Sequence, residues 1–281
     1  MKDNKKHKKA EYGILITGLI ILLAAACIIA LCAGQYSVSV PEVIKILASR
    51  FVNVTKTWSN TAEGVVFTLR LPRIIGAVLV GSALSLSGAA YQGVFKNPLV
   101  APDLLGVSSG ACVGASVAIL LHLNSFGVQA MAFVAGILAV GLTLFIPRLI
   151  KNTNMTMLVL SGIIVKGIMD SVMGIIKYVA DPETELQSIT YWQLGSLTKV
   201  LPKDLFTVGP VIVAASVIIF LLRWRINILS LGDREAKTLG VSVTVVRNFI
   251  IICATLLTAS AVCISGTIGW IGLVIPHFAR M

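Results

Sequence analysis

The chain has 281 residues, of which 57% are hydrophobic and 12% are charged, and its formal net charge is +11 at pH 7. Because a soluble domain carries about 25% charged residues, this composition excludes an ordinary soluble protein and indicates a polytopic membrane protein. Lys and Arg accumulate in the cytoplasmic loops of such proteins, so the positive charge does not indicate a nucleic-acid partner.

Residues that commonly bind metals or nucleotides form no ligand pattern in this sequence. The five cysteines lie in apolar runs without a Cys-x-x-Cys pair, and the three histidines are far apart in the chain. No Gly-x-x-x-x-Gly-Lys-Ser/Thr loop occurs either. We therefore expect no metal site, no cofactor and no nucleotide bound by a P-loop of the chain itself.

Residues 1–11 form a basic tail ahead of the first apolar run. Its lysines predict a cytoplasmic N-terminus and a first crossing over residues 13–34. A signal peptide is the alternative, but the uncharged run from Tyr12 to Val40 is too long for one. We predict a tail over 1–11 and a single transmembrane domain over 12–281.

Further apolar runs along the chain predict more crossings. The run GTIGWIGLVIPH near the end predicts a short or partly broken eighth one. The expected fold class is an all-α integral membrane bundle of about eight transmembrane helices. Short helices are expected on the outer surface after Pro41 and near 186–195, and a helix is expected in the basic cytoplasmic loop 223–241. The intermediate crossings are predicted at 72–95, 104–121, 126–147, 155–178, 205–222 and 243–263.

The rest of the predicted fold is arranged around the stretch 70–111. An uncharged run from Ile74 to Phe95 is followed by a break that contains Pro98 and Pro102. On the residues alone this break is either a plain turn or part of a pathway. Arg70 and Arg73 stand on the predicted outer side in the first turn of a helix, where they could contact lipid phosphates or an acidic partner.

Motifs in three stretches carry a family resemblance. RLPR at 70–73, NPLVAP at 97–102 and LGVSSGA at 105–111 resemble the FecCD-type permeases that import iron-siderophores, haem and cobalamin, and 229–241 and 266–280 fit the same family. These are the transmembrane subunits of type II ATP-binding cassette importers. The resemblance implies a non-catalytic permease in a prokaryotic cell membrane, paired with a second permease, two ATP-binding subunits and an outer substrate-binding protein. The family has ten crossings, so we expect this chain to lack the last two.

The resemblance also implies roles for particular residues. It implies that Arg70 and Arg73 dock the substrate-binding protein. It implies a cytoplasmic gate at Asn97 and Leu99, with a second element at Asn154 and Thr156. The residues expected to couple the permease to the ATP-binding subunit are Leu231, Gly232, Asp233, Arg234, Glu235, Ala236 and Gly240, in one helix capped near Asp233 and ended by Gly240.

Lys166 and Asp170 are spaced four apart in the fifth predicted crossing, so they can pair on one helix face. They are either a self-neutralised pair or part of the pathway, with Tyr191 and Trp192 as candidates for its outer mouth. An ion-gradient-driven secondary transporter using Asp170 and Lys166 is the alternative function. It is weak because Asp170 is the only carboxylate in a predicted crossing. An enzyme would need a polar catalytic cluster, and none is visible.

The last motif, Gly266–Arg280, repeats glycine at every third position, which predicts a smooth helix face for close packing. His277 within it has no accompanying nucleophile or carboxylate. We therefore expect this motif to be structural.

Overall fold

The computed structural model describes the backbone of residues 2–152 and 154–281, and side chains from Glu11 onward within those ranges. Most of these residues are helical, and no strand occurs among them. Two compact units divide the chain at Ile75 and Gly76. The α-helices of the described ranges are α1 (Lys2–Cys32), α2 (Val40–Ala48), α3 (Asn60–Gly64), α4 (Leu71–Phe95), α5 (Val107–Leu120), α6 (Ser125–Leu149), α7 (Met155–Val179), α8 (Glu185–Leu194), α9 (Pro202–Leu221), α10 (Arg223–Leu231), α11 (Asp233–Thr238), α12 (Val243–Ser265) and α13 (Ile271–Phe278).

The first unit is built on α1, α2, α3 and the beginning of α4. Most side chains of α1 from Tyr12 to Ile29 are exposed, as a helix surrounded by lipid requires. A small core forms where Leu31, Val43 and Val66 pack together with their neighbours. The amphipathic helix predicted after Pro41 is α2, which buries Val43 and Ile46.

A π-helical turn, Val65–Arg70, joins α3 to α4 without a break. The N–H of Leu71 bonds to the carbonyl of Val66, five residues back. This wider turn accommodates Pro72, which has no N–H and would crowd the carbonyl four residues back in an ordinary helix. The helix therefore begins at Asn60, and the prediction that Arg70 and Arg73 lie in its first turn is wrong.

The second unit is a helical bundle around α12, most of which is buried. Glycines let α5 and α6 approach closely: a Cβ at Gly114 would lie 2.3 Å from the carbonyl oxygen of Met131. Within lipid the hydrophobic effect does not drive helices together. Helices associate there partly through the close van der Waals contact that such small residues allow. Hydroxyl groups join α4 to α12, because Ser87 Oγ lies 2.7 Å from Thr258 Oγ1.

Six described helical segments are long and apolar enough to cross a membrane: Glu11–Cys32, Asn60–Phe95, Ser125–Leu149, Met155–Val179, Pro202–Leu221 and Val243–Ser265. The third and eighth predicted crossings correspond to α5, with 14 residues, and α13, with 8. At about 1.5 Å per residue neither spans a hydrocarbon core of about 30 Å. The sequence overestimated the length of the third predicted crossing, whereas the eighth was expected to be short or partly broken, and α13 follows the non-helical residues 266–270.

Candidate functional site

Arg70 lies in the first unit, where its guanidinium group binds the end of α1. Nη1 donates to the carbonyls of Leu31 at 2.6 Å and Cys32 at 3.2 Å, and Nη2 donates to the carbonyl of Tyr36. The last carbonyls of a helix have no partner within it, and a cation there also suits the helix dipole. Arg70 therefore stabilises the α1 terminus. Arg73 lines the same cavity of about 440 Å³ and forms no ion pair with any described residue.

The break after α4 places the predicted gate residues Asn97 and Leu99 in an exposed turn. Lys96 ends the helix with a φ of 53°, which is unusual for a residue other than glycine. The Asn97 side chain then accepts a hydrogen bond from the N–H of Leu99 at 2.9 Å. Leu99 is 74% exposed. The chain continues through a 3₁₀ turn, Pro102–Leu105, into α5.

Asn154 precedes the first residue of α7, and Thr156 lies in its first turn. Both side chains are exposed, and the N–H of Asn154 bonds to Asn152 Oδ1 at 3.3 Å. Thr153, which lies between Asn152 and Asn154 in the sequence, is outside the described residues. Asn154 and Thr156 therefore lie at the N-terminal end of α7, and their role as a second gate element stays a prediction.

Lys166 pairs with Asp103, and the expected pairing with Asp170 is wrong. Lys166 Nζ lies 3.5 Å from Asp103 Oδ2, and each side chain is about half exposed. The 3₁₀ turn packs tightly on α7, because a Cβ at Gly162 would lie 2.4 Å from the carbonyl oxygen of Leu104. Asp170 is exposed and forms no ion pair with the residues that the structure describes. The sequence signal for Asp103 was its place directly after Pro102 in the break.

Tyr191 and Trp192 lie on α8, which occupies Glu185–Leu194 as predicted. Both line a cavity of about 300 Å³ together with Gln129 and Lys199. Beside this region Asp204 is 96% buried, in the first turn of α9. Its oxygens accept from Gln129 Nε2 at 3.0 Å and from the N–H of Leu201 at 2.9 Å.

Asp204 corrects the count of intramembrane carboxylates. The predicted sixth crossing began at 205, so Asp204 was left outside it, whereas α9 begins at Pro202. Asp170 is therefore not the only carboxylate in a long apolar helix. The signal was the Leu201-Pro202-Lys203-Asp204 pattern, because proline at the first helical position and an acid at the third are typical of a helix start.

The basic loop over 223–241, which is expected to be cytoplasmic, contains two helices, α10 and α11, where one helix capped near Asp233 is expected. Gly232 separates them with a φ of 148°, which only glycine adopts easily. Ala236, one of the expected coupling residues, is fully buried and belongs to the bundle core, so it is not on the exposed surface of this loop. Leu231, Arg234 and Glu235 are exposed. Gly240 ends α11 as predicted, with a φ of 74° and a bond from the N–H of Val241 to the carbonyl of Ala236.

Asp233 is the most highly connected charged residue of this loop. Arg247 Nη2, on α12, donates to both of its carboxylate oxygens at 2.8 and 2.7 Å. Lys96 Nζ, at the end of α4, donates to Oδ1 at 3.0 Å. The Arg247 guanidinium, and secondarily the Lys96 ammonium, hold the pKa of the Asp233 carboxyl below its usual value. The sequence predicted Asp233 as a helix cap and as one of the coupling residues, but it predicted neither of these ion pairs.

The glycine-rich motif packs closely but is not a continuous helix face. Residues 266–270 are non-helical, and only Gly272 of the three glycines lies in α13. A Cβ at Gly272 would lie 2.3 Å from the Pro102 ring, so the first turn of α13 packs against the 3₁₀ turn that precedes α5. At the end of the motif Arg280 donates to the buried Gln92 side chain.

Comparison with known proteins fits this architecture. The sequence pattern of the FecCD transport family matches residues 21–281. The protein belongs to the FecCD transport family. A molybdate import system permease protein of Haemophilus influenzae is 36% identical over 272 residues, which cover 96% of this chain and 80% of that protein. A permease protein of Helicobacter pylori named for iron chelatin transport is 42% identical over 217 residues, which cover 77% of this chain and 65% of that protein.

A solved structure shares the fold of this FecCD-family chain. It is the inward-facing conformation of a metal-chelate type ABC transporter, with a TM-score of 0.84 and 34% sequence identity. The match covers 96% of this chain and 82% of that one. The all-helical membrane architecture and the FecCD resemblance that the motifs carried are both confirmed.

Proposed function

We propose that this chain is the membrane-spanning permease subunit of an ATP-binding cassette importer that moves a metal chelate into the cell. The observation that carries the proposal is the fold match over 96% of the chain to a metal-chelate type ABC transporter. The cargo class is an iron-siderophore, haem, cobalamin or a similar chelate. The chain itself performs no chemistry and provides alternating access, while a separate subunit hydrolyses ATP.

The proposed assembly follows from the surfaces that the chain exposes. Two permease copies enclose the pathway in a prokaryotic cell membrane, with the N-terminal tail in the cytoplasm. Two ATP-binding subunits contact the loop that contains α11, where Leu231 is 67% exposed. A substrate-binding protein docks on the outer side, where Arg73 has no described ion-pair partner and is available to an acidic residue.

The exposed polar face of α7 supports its role as a wall of the pathway. Lys166, Asp170 and Ser171 are exposed within a helix of otherwise apolar character. Charged groups facing lipid are costly, so such a face is normally covered by protein or lines a water-filled cavity. Asn97 and Leu99 are proposed to close the inner end, since an amide and an apolar side chain obstruct a pore without adding fixed charge.

The proposal is tested by ATP hydrolysis in nanodiscs that contain the full-length permease, its candidate ATP-binding subunit and its candidate substrate-binding protein. We expect the binding protein to stimulate hydrolysis and Arg73→Glu to abolish the stimulation, because charge reversal repels an acidic docking residue. Lys203→Glu is the control, as it reverses another exposed charge on the proposed outer side.

The contrary result is equally definite. If no ATP-binding subunit associates, and transport instead follows an imposed proton gradient and is lost in Asp170→Asn, the chain is an ion-driven secondary transporter.

A further inference from the structure

Three charged residues from separate elements meet on the cytoplasmic side of the bundle. Asp233 begins α11, Arg247 lies in the first turns of α12, and Lys96 is the residue that follows α4. The carboxylate accepts two hydrogen bonds from Arg247 and one from Lys96, all at 3.0 Å or less. Lys96 and Asp233 are 137 residues apart in the sequence, so only the tertiary fold joins them.

Burial distinguishes the Arg247 arm of this cluster from an ordinary surface ion pair, whereas the Lys96 and Asp233 side chains are 35% and 46% exposed. The Arg247 side chain is only 10% exposed, and its Nε is buried without a hydrogen-bond partner. A buried guanidinium that is not fully hydrogen-bonded depends strongly on the carboxylate that neutralises it. Asp233 is the carboxylate that pairs with Arg247 among the described residues. The position of α11 is therefore fixed relative to α12.

The Lys96 arm reaches the proposed gate. Lys96 holds a left-handed backbone conformation, and the turn that contains Asn97 and Leu99 begins at the next residue. Because the Lys96 ammonium is bound to Asp233, a displacement of α11 acts on the residue at which the chain leaves α4. Along the backbone, by contrast, α11 is connected to the same turn only through all the helices from α5 to α10.

We propose that Asp233 is a positioning residue that links α11 to the end of α4 through Lys96 and to α12 through Arg247. Movement of α11 is thereby delivered directly to the turn that contains Asn97 and Leu99. This inference rests on the proposed function, in which a partner ATPase moves α11. The competing explanation is that Asp233 only stabilises the positive end of α11. That explanation assigns no role to Lys96.

The test measures the accessibility of the proposed gate in the full-length permease, assembled with its ATP-binding subunit in nanodiscs. A cysteine introduced by Leu99→Cys reacts with a water-soluble maleimide in the nucleotide-free and the ATP–vanadate-trapped states. The same protein without Leu99→Cys gives the background from the native cysteines. The ratio of the labelling rates in these two states reports gate movement. A change of local charge affects the thiol in both states, so its effect cancels in the ratio.

Two variants break the cluster and two serve as matched comparisons. Asp233→Asn removes the charge from the centre, and Lys96→Gln removes only the arm to the gate. Lys96→Arg keeps the cation and is expected to retain the ratio. Lys151→Gln is the control, because Lys151 is another exposed lysine with a positive φ at a helix end and forms no ion pair with a described residue.

We expect the nucleotide-dependent ratio to fall about three- to tenfold in Asp233→Asn and Lys96→Gln and to stay unchanged in Lys151→Gln. A normal ratio in Lys96→Gln overturns the inference even if Asp233→Asn fails to fold. So does loss of the ATP-binding subunit from the Lys96→Gln complex, which would make the residue part of a docking surface. A wild-type protein whose gate never responds to nucleotide contradicts the proposed function instead, which separates the two failures.

Discussion

At the scale of single residues, Arg70 and Arg73 show how two identical side chains three positions apart make different contacts. Arg70 donates to three main-chain carbonyls at and after the end of α1. Arg73 lines the adjoining cavity without an ion-pair partner among the described residues. The motif resemblance assigned docking to both, whereas the contacts of Arg70 give it a structural task.

We predict that Arg70→Gln lowers the free energy of unfolding by about 1–3 kcal/mol. This is less than the sum expected for three charged hydrogen bonds, because the guanidinium group is partly exposed to solvent. Arg73→Gln is expected to change it by less than about 0.5 kcal/mol. Thermal or denaturant unfolding of the full-length protein in detergent measures both. Equal losses in the two variants would show that the contacts of Arg70 with α1 do not stabilise the fold.

Lys166 offers a second residue-scale prediction. Because it pairs with Asp103, the effects of Lys166→Gln and Asp103→Asn on stability should be non-additive by at least about 0.5 kcal/mol in a double-mutant cycle. The parallel cycle of Lys166→Gln with Asp170→Asn is the comparison and should be additive. If Lys166→Gln is instead coupled only to Asp170→Asn, Lys166 pairs with Asp170, as the helical spacing alone suggests.

At the scale of elements, the two breaks between α-helices have the greatest consequences. Residues 97–106 precede α5, and residues 266–270 precede α13. Backbone polar groups within a membrane must find partners inside the protein. Thr143 Oγ1 donates to the carbonyl of Leu105 at 3.0 Å, and Ser265 Oγ donates to the carbonyl of Gly266 at 3.1 Å. These bonds let irregular backbone persist inside the bundle.

The end of α11 gives a prediction at the same scale. Gly240 has a φ of 74°, and a Cβ there would meet nothing within 4 Å. Gly240→Ala should therefore destabilise the protein by about 1–2 kcal/mol through backbone strain alone. Gly141→Ala is the matched control: a Cβ at this residue of α6 also meets nothing within 4 Å, and alanine favours a helix by about 0.5–1 kcal/mol. Opposite signs in unfolding experiments are expected, and a neutral Gly240→Ala would contradict the prediction.

At the scale of the whole molecule, the proposed orientation can be tested by labelling. Phe51 is 91% exposed in the loop after α2, which is proposed to lie outside the cell, and Leu231 is 67% exposed at the end of α10, which is proposed to lie inside. We expect an impermeant maleimide to label Phe51→Cys in intact cells, and Leu231→Cys only after the cells are permeabilised. The unsubstituted protein provides the background. The reverse pattern would place the N-terminal tail outside.

Much of the molecule was predictable because it is encoded locally. A long uncharged run must form a helix when lipid surrounds it, so α6, α7, α9 and α12 lie within a few residues of their predicted positions. Gly240 was also recognisable as a helix end, because the preference for glycine at the left-handed residue that ends a helix is a local signal. Local patterns failed at Pro72, where a π turn carries the helix through a residue that normally begins one.

The sequence by itself determined the class of protein, the long membrane helices, the two breaks and the family, because these depend on composition and on short-range patterns. Only the tertiary structure decided which charges meet. Asp103 lies beside Lys166, and Asp233 lies between Lys96 and Arg247. The physical reason is that charges within a packed bundle pair with the nearest opposite charge in space, and that neighbour is set by how the helices pack.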